Sequence, residues 1–229
     1  MIPTRNAAQT IAGLGAIVGL LGVGVQRPGL AQSITPASDG TQTLVTPNGD
    51  RYDITGGQIS ADGTNQWHSF DQFGLDPAET ANFVADRPNL QHILGRITGG
   101  DASLIQGLIQ VTGSASPDLY LLNPAGILFT ESARLDIPGS LITTTASGLQ
   151  FGDAWWSAIG SVDYNELVGA PTGFFVSGGT ILNEGNLTVA PGESIQLIGG
   201  TVMNTGTLTA PGGTITIAAV PQASLVRLS

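Results

Sequence analysis

The sequence predicts an all-β protein wound as a parallel β-helix, and two observations lead there. The first is an internal repeat. Gly178-Gly179-Thr180-Ile181-Leu182-Asn183-Glu184-Gly185-Asn186-Leu187-Thr188-Val189-Ala190-Pro191-Gly192 is echoed by Gly199-Gly200-Thr201-Val202-Met203-Asn204-Thr205-Gly206-Thr207-Leu208-Thr209-Ala210-Pro211-Gly212. A period of about 20 residues, made of short β segments and Asn-x-Gly corners, fits coils that bury their inward residues only against the next coil. Leucine-rich repeats have a similar period, but their Leu-x-x-Leu-x-Leu pattern is absent. The second observation is composition. The 33 Gly and 13 Pro punctuate apolar segments and do not form a low-complexity tract, which suits many short strands with turns.

At 229 residues the chain can bury one substantial core, which favours a single domain. Charged residues are 10%, and a net charge of −10 argues against nucleic acid or anionic lipid as partners. All the basic residues are Arg. With no Cys, disulfides, Cys-ligated zinc and Cys nucleophiles are excluded, and the chain can cross an oxidising compartment without cross-linking.

Taken in order, residues 1–31 read as a secretory signal peptide: Arg5 gives a positive start, residues 11–25 are apolar, and Gly29-Leu30-Ala31 offers small residues for cleavage after Ala31. The apolar run, about 15 residues, is short of the roughly 20 that span a bilayer as a helix. The chain is therefore expected to be exported, with residues 32–229 as its single domain. Residues 34–60 alternate Thr, Val, Leu and Ile with polar residues and break at Asp39-Gly40, Asn48-Gly49 and Gly56-Gly57, a hairpin signal suited to a cap over the exposed first coil. Between 65 and 89 the aromatics Trp67, Phe70, Phe73 and Phe83 stand among polar residues, which reads as a loop-rich insertion with marginal helix. Strand-like segments follow at 93–97, 104–111, 119–122, 127–129, 135–137 and 141–145, separated by turn residues every few positions, so that each coil should have three faces.

Within that region, Asn123-Pro124-Ala125-Gly126-Ile127 sets turn chemistry between two apolar strands, as a corner of the coil would. Residues 149–170, with Phe151, Trp155, Trp156 and Tyr164, read as an extra-helical excursion. The repeat at 178–218 should stack Asn183 on Asn204, Leu187 on Leu208 and Ile195 on Ile215, the Asn pair stabilising a corner. The last coil reads as incomplete, which suggests a longer solenoid or a partner at that end.

With the signal peptide, the Arg96-Ile97-Thr98-Gly99-Gly100 stretch, the 123–127 turn and the Asn-x-Gly coils together, the chain resembles the secretion domain of two-partner-secretion exoproteins, the filamentous-haemagglutinin-like adhesins, over residues 34–220. That resemblance implies a right-handed β-helix with an N-terminal β cap and extra-helical hairpins. It also implies a secretion-targeting role: recognition in the periplasm by the POTRA domains of a partner outer-membrane β-barrel of the TpsB/Omp85 type, passage unfolded, and folding outside a Gram-negative-type cell. Asn123, Pro124, Ala125, Gly126 and Ile127 correspond to the family's NPNGI motif, with Ala125 in place of its second Asn. Pro88, Asn89 and Leu90 are a looser counterpart of a second, NPNL-type motif, in which Arg87 replaces the first Asn.

Two other functions compete. A polysaccharide-cleaving β-helix enzyme needs paired carboxylates at a fixed separation. Asp50 with Asp53 and Asp71 with Asp76 are close in sequence, yet neither pair falls on a repeated strand face. His68 and His92 stand without a triad context, and no EF-hand or nonapeptide calcium repeat accompanies Asp39, Asn48, Asp50 or Asp101, so neither catalysis nor a metal or other cofactor is expected. An adhesin would contact carbohydrate or a cell surface through Trp67, Trp155 and Trp156. Asn186-Leu187-Thr188 matches a glycosylation sequon and reads as a corner.

Overall fold

Residues 34–160, 162–220 and 223–227 are described by the computed structural model; the expected signal peptide lies outside them. Four short strands begin the chain: β1 (Ile34–Pro36), β2 (Thr43–Asn48), β3 (Arg51–Gly56) and β4 (Gln58–Ile59). β2 and β3 form an antiparallel hairpin in which Asn48 faces Arg51 across Gly49-Asp50, with Gly49 at φ +62° supplying the left-handed turn position. β1 and β4 both pair antiparallel with β5 (Asn65–Phe73), so β1 covers the edge that the first coil would otherwise expose.

From β5 onward the chain winds through three faces in turn. The first coil runs through β5, a single parallel bridge from Leu75 to Ile105, and β6 (Thr80–Ala85). The second has β7 (His92–Ile97), β8 (Ser103–Ile105) and β9 (Leu108–Gly113), and the third has β10 (Asp118–Leu122), β11 (Ile127–Phe129) and β12 (Arg134–Asp136). The fourth begins at β13 (Leu141–Thr144), leaves the helix through β14 (Ala146–Phe151), β15 (Ala154–Ser157), a 3-10 turn at Tyr164–Glu166 and β16 (Gly173–Val176), then resumes with β17 (Thr180–Asn183) and β18 (Asn186–Thr188). β19 (Ile195–Gly199), β20 (Thr201–Asn204) and β21 (Thr207–Thr209) make the fifth, β22 (Ile215–Ala219) opens a sixth, and β23 (Ser224–Arg227) returns to pair antiparallel with β16.

The first face is the parallel stack β5-β7-β10-β13-β19-β22 and the second is β8-β11-β17-β20. The third is β3-β6-β9-β12, continued by the pair β18-β21. This is a right-handed parallel β-helix, the hand that strand-to-strand crossovers take almost without exception. Asn183 stacks on Asn204, Leu187 on Leu208 and Ile195 on Ile215, in the register expected from the repeat.

Two elements differ from the sequence expectation. Residues 65–89 are not a loop-rich insertion: they hold β5 and β6, and among the described residues no α-helix occurs there. The reason is burial on both sides of the strand. Trp67 points outward under other cover while Phe70, Phe73 and Phe83 fill the helix interior, so the alternation that marks a strand is erased. The segment 104–111 is broken into β8 and β9 by a corner at Gln106-Gly107. There a Cβ on Gly107 would fall 2.1 Å from the Glu79 carbonyl oxygen, so only glycine lets the second coil lie on the first.

The two-sided burial gives two cores. Inside the helix, Ile93, Leu119, Leu141 and Ile195 stack in register, with Phe83, Ile127 and Phe129 closing the other faces. Outside the first face, β14, β15, β16 and β23 form an antiparallel sheet that covers the outward column Trp67, Leu94, Tyr120 and Ile142.

Candidate functional site: the Asn123 corner

The 123–127 turn joins β10 on the first face to β11 on the second. Asn123 is 1% exposed and every polar atom of its side chain is engaged: Nδ2 donates to the Asp101 carbonyl and to Ser103 Oγ, both at 3.0 Å, and Oδ1 accepts from the Ala125 N–H at 3.0 Å. The Gly126 N–H closes the turn on the Asn123 carbonyl at 3.1 Å, and the Asn123 N–H reaches the Thr144 carbonyl of the next coil at 3.0 Å. One residue therefore ties three consecutive coils. Gly126 has φ +130°, and a Cβ there would lie 3.0 Å from the Thr180 carbonyl oxygen. Ile127 is buried between Ser103 and Ile181 in the second-face stack. Only Ala125 is exposed, with Pro124 half-buried. The exposed position is thus the one that departs from the NPNGI motif.

The second motif makes a turn of its own, the Leu90 N–H donating to the Arg87 carbonyl at 3.0 Å. Pro88 and Asn89 are exposed and Leu90 is buried. This corner leads into β7 from the third face, whereas the Asn123 corner leaves the first face. The two lie at opposite ends of first-face strands, roughly 15–20 Å apart at the rise of an extended chain, so the fold does not bring them together.

Asn183 and Asn204 occupy the corner between second and third faces. Asn183 is fully buried, its Nδ2 donating to Asn204 Oδ1 at 2.7 Å and to the Gly185 carbonyl at 3.2 Å, while its Oδ1 accepts from the Gly185 N–H. The ladder takes over from the apolar column Ile105 and Phe129 below it and keeps the corner hydrogen-bonded.

The remaining candidates fall into place as packing. His68 is fully buried with neither ring nitrogen partnered among the described residues, its ring 5.8 Å from Phe83 and 6.2 Å from Phe70, and burial pushes its pKa down to about 3. His92 Nδ1 bonds Asn65 Oδ1 at 2.7 Å; burial lowers its pKa, against the nearby Asp118 and Asp62 carboxylates. Sequence reading missed that β-pairing sets His92 beside Asp118, and that Ser140 in turn bonds Asp118. The Ser140 hydroxyl, however, donates to Glu193 Oε2 at 2.8 Å while its N–H donates to Asp118, so the group ties coils together and aims no nucleophile. Trp67 and Trp156 are fully buried and pack against each other at 4.7 Å with their planes tilted by 60°, which removes both from any carbohydrate-facing platform; Trp155, at 44% exposure, is the one that faces solvent. Asp53 accepts from Arg51 and Asn82, and among the described residues no group of metal-ligating side chains assembles.

Sequence reasoning quoted Arg96 only within the 96–100 stretch and missed its role: its guanidinium is 1% exposed and spends its hydrogens on Asp39, Ser69, Ser157 and Gly160. The signal available was a lone charge inside the apolar strand His92-Ile93-Leu94-Gly95-Arg96-Ile97, since a charge so placed is buried only when fully paired. Burial raises the Asp39 pKa, but hydrogen bonds from Ser69, Thr41 and Arg96 outweigh it and hold the carboxyl down at about 2.

With the coils and the corner in view, the family comparison is decisive: residues 31–229 match the family described as the TPS secretion domain. The chain belongs to that family. Among solved structures, the secretion domain of HMW1 from Haemophilus influenzae is similar with a TM-score of 0.58 at 21% identity, over 81% of this chain and 43% of that one. The filamentous haemagglutinin secretion domain gives a TM-score of 0.51 at 16% identity, over 84% of this chain and 75% of that one. At those identities the likeness speaks for the fold. In sequence, a heme/hemopexin-binding protein of Haemophilus influenzae is 33% identical over 107 residues, 46% of this chain and 10% of that protein. A tRNA nuclease CdiA of Escherichia coli is 30% identical over 76 residues, 31% of this chain and 2% of that protein. The chain thus spans a tenth or less of the curated relatives it matches. TPS exoproteins are secreted or surface-exposed in Gram-negative bacteria, and a TPS domain implies an outer-membrane transporter partner.

Proposed function

We propose that this domain directs a longer exoprotein across the outer membrane, that residues 1–31 are removed after export to the periplasm, and that the POTRA domains of a TpsB-type barrel read the chain before it folds. The observation that carries this reading is the occupancy of the Asn123 corner. The side chains that correspond to the family's secretion motif are consumed inside the fold, Asn123 fully and Ile127 in the core, so a partner can meet them only in the unfolded chain. An unfolded chain offers mostly backbone, and pairing with an exposed strand edge of the partner is the recognition mode that uses it. The absence of Cys suits passage through an oxidising compartment in that state. The reading assigns no catalytic step to the domain.

The test is binding to immobilised POTRA domains of the cognate transporter. Chain diluted from urea should bind and lose binding as it folds, and folded chain should not bind. Equal binding by the folded chain would overturn recognition before folding, while failure of both forms to bind would overturn the POTRA assignment.

A further inference from the structure

The fourth and fifth coils pass the same corner by different routes. In the fifth, Ile198, Gly199, Gly200 and Thr201 lead straight from the first face to the second. In the fourth, Thr144 pairs with Ile198 and Thr180 with Thr201, yet residues 146–178 intervene between them. The ends of that insertion meet. The Thr145 hydroxyl donates to the Gly178 carbonyl, and a Cβ on Gly179 would fall 2.7 Å from the Thr145 Cβ.

The insertion shares no backbone ladder with the coils among the described residues: β14, β15 and β16 pair with one another and with β23 alone. What holds it on the outer side of the first face is side-chain packing and a set of hydrogen bonds, among them Tyr164 Oη with Thr41 Oγ1 at 2.8 Å and the Gly169 N–H to Asp62 Oδ2 at 2.9 Å. Trp156 and Phe151 lie 4.7 and 5.1 Å from Trp67, ring centre to ring centre. At one end, Asn65 Nδ2 donates to the Leu167 and Gly169 carbonyls at 3.0 and 2.8 Å. At the other, Arg96 donates from Nη1 to the Ser157 carbonyl at 2.6 Å and from Nη2 to the Gly160 carbonyl at 3.1 Å. The same guanidinium reaches Asp39 in the cap loop at 2.8 Å and Ser69 on β5 at 3.1 Å. Its partners come from the cap, the first coil and the insertion, so the buried cation is fully paired only when all three are in place; a partly paired one is strongly unfavourable.

We propose that residues 146–178 are an intramolecular strap that closes last over the outer side of the first face, with Arg96 as its clasp, and that the β-helix stands without it. Before closure, Trp67, Leu94, Tyr120 and Ile142 form an open apolar column; closure buries it. Because the coils hold each other through their own parallel ladders, opening the strap leaves them intact.

Hydrogen exchange tests this in three arms. In pulse labelling during refolding, amides of β10 and β11 should be protected before those of β14 and β15; simultaneous or reversed protection overturns late closure. In Arg96→Met, exchange in β14 and β15 should rise at least tenfold while β10 and β11 stay within twofold of the unmodified chain. Unchanged exchange in β14 and β15, or loss of protection throughout, overturns the clasp. A chain lacking residues 146–178, with Thr145 joined to Gly179, should keep a cooperative β signal in circular dichroism and bind an apolar dye severalfold more strongly. An unfolded deletion chain, or a folded one that binds no more dye, overturns the separable strap.

Discussion

At Asn123, one buried amide meets a carbonyl of the coil below, a hydroxyl of that coil and an N–H of its own turn. Replacing it with Ala leaves the buried Ser103 hydroxyl without this partner, at a cost of about 1–3 kcal/mol, while the Asp101 carbonyl and the Ala125 N–H, on exposed residues, can turn to water. Asn123→Ala should therefore lower the urea midpoint with an unchanged m-value, whereas Ala125→Asn, at the exposed position, should shift stability by no more than about 0.5 kcal/mol. Loss of POTRA binding by Asn123→Ala under unfolding conditions, where the corner does not exist, would show that the side chain is also read directly. The turn itself was legible because Asn, Pro and Gly carry their backbone preferences into any context. Arg96 was not, because a charge in a strand looks the same in sequence whether it meets water or is enclosed by groups that arrive from residues 39, 69, 157 and 160.

Elements were legible in proportion to how unevenly they are covered. The corners at 98–102, 123–126 and 184–185 showed themselves through Gly and Asn, and the strands between them followed. β5 escaped because both of its sides are buried, and the separation of β8 from β9 escaped because Gln106-Gly107 has no marker beyond one glycine. That glycine makes a testable contrast. At Gly107 a Cβ would overlap the Glu79 and Asp76 carbonyl oxygens at 2.1 and 2.6 Å, both of them backbone atoms that can move only if the coils part. At Gly100, φ is +89° but nothing lies within 4 Å, so a methyl group there meets only the conformational penalty of about 1–2 kcal/mol. Gly107→Ala should cost clearly more than Gly100→Ala in chemical denaturation; equal losses would mean that the coils yield easily at this corner.

Across the whole molecule, periodicity carried the fold from sequence to structure, since the repeat at 178–212 fixes a coil and one coil implies its neighbours. Electrostatics did not travel the same way, because pKa shifts depend on what encloses a group. His68 shows the consequence. Its pKa in the folded chain is about 3 against an ordinary 6.5, so between those values the unfolded chain binds a proton that the folded chain refuses. Stability therefore falls as pH drops from 6.5 toward 3, by at most about 1.4 kcal/mol per pH unit for this one proton. Asp39, held at about 2 against 3.8, adds a loss of the same sign only below 3.8. Asp118, raised by burial, acts in the opposite sense near the ordinary carboxylate range, so the interval from 6.5 down to about 5 isolates the histidines. His92, also lowered by burial, contributes there alongside His68. In His68→Leu, which keeps an apolar side chain among Phe70 and Phe83, the decline of unfolding free energy between pH 7 and 5 should be shallower than in the unmodified chain. Parallel profiles for the two chains would show that His68 takes up its proton without unfolding the first coil.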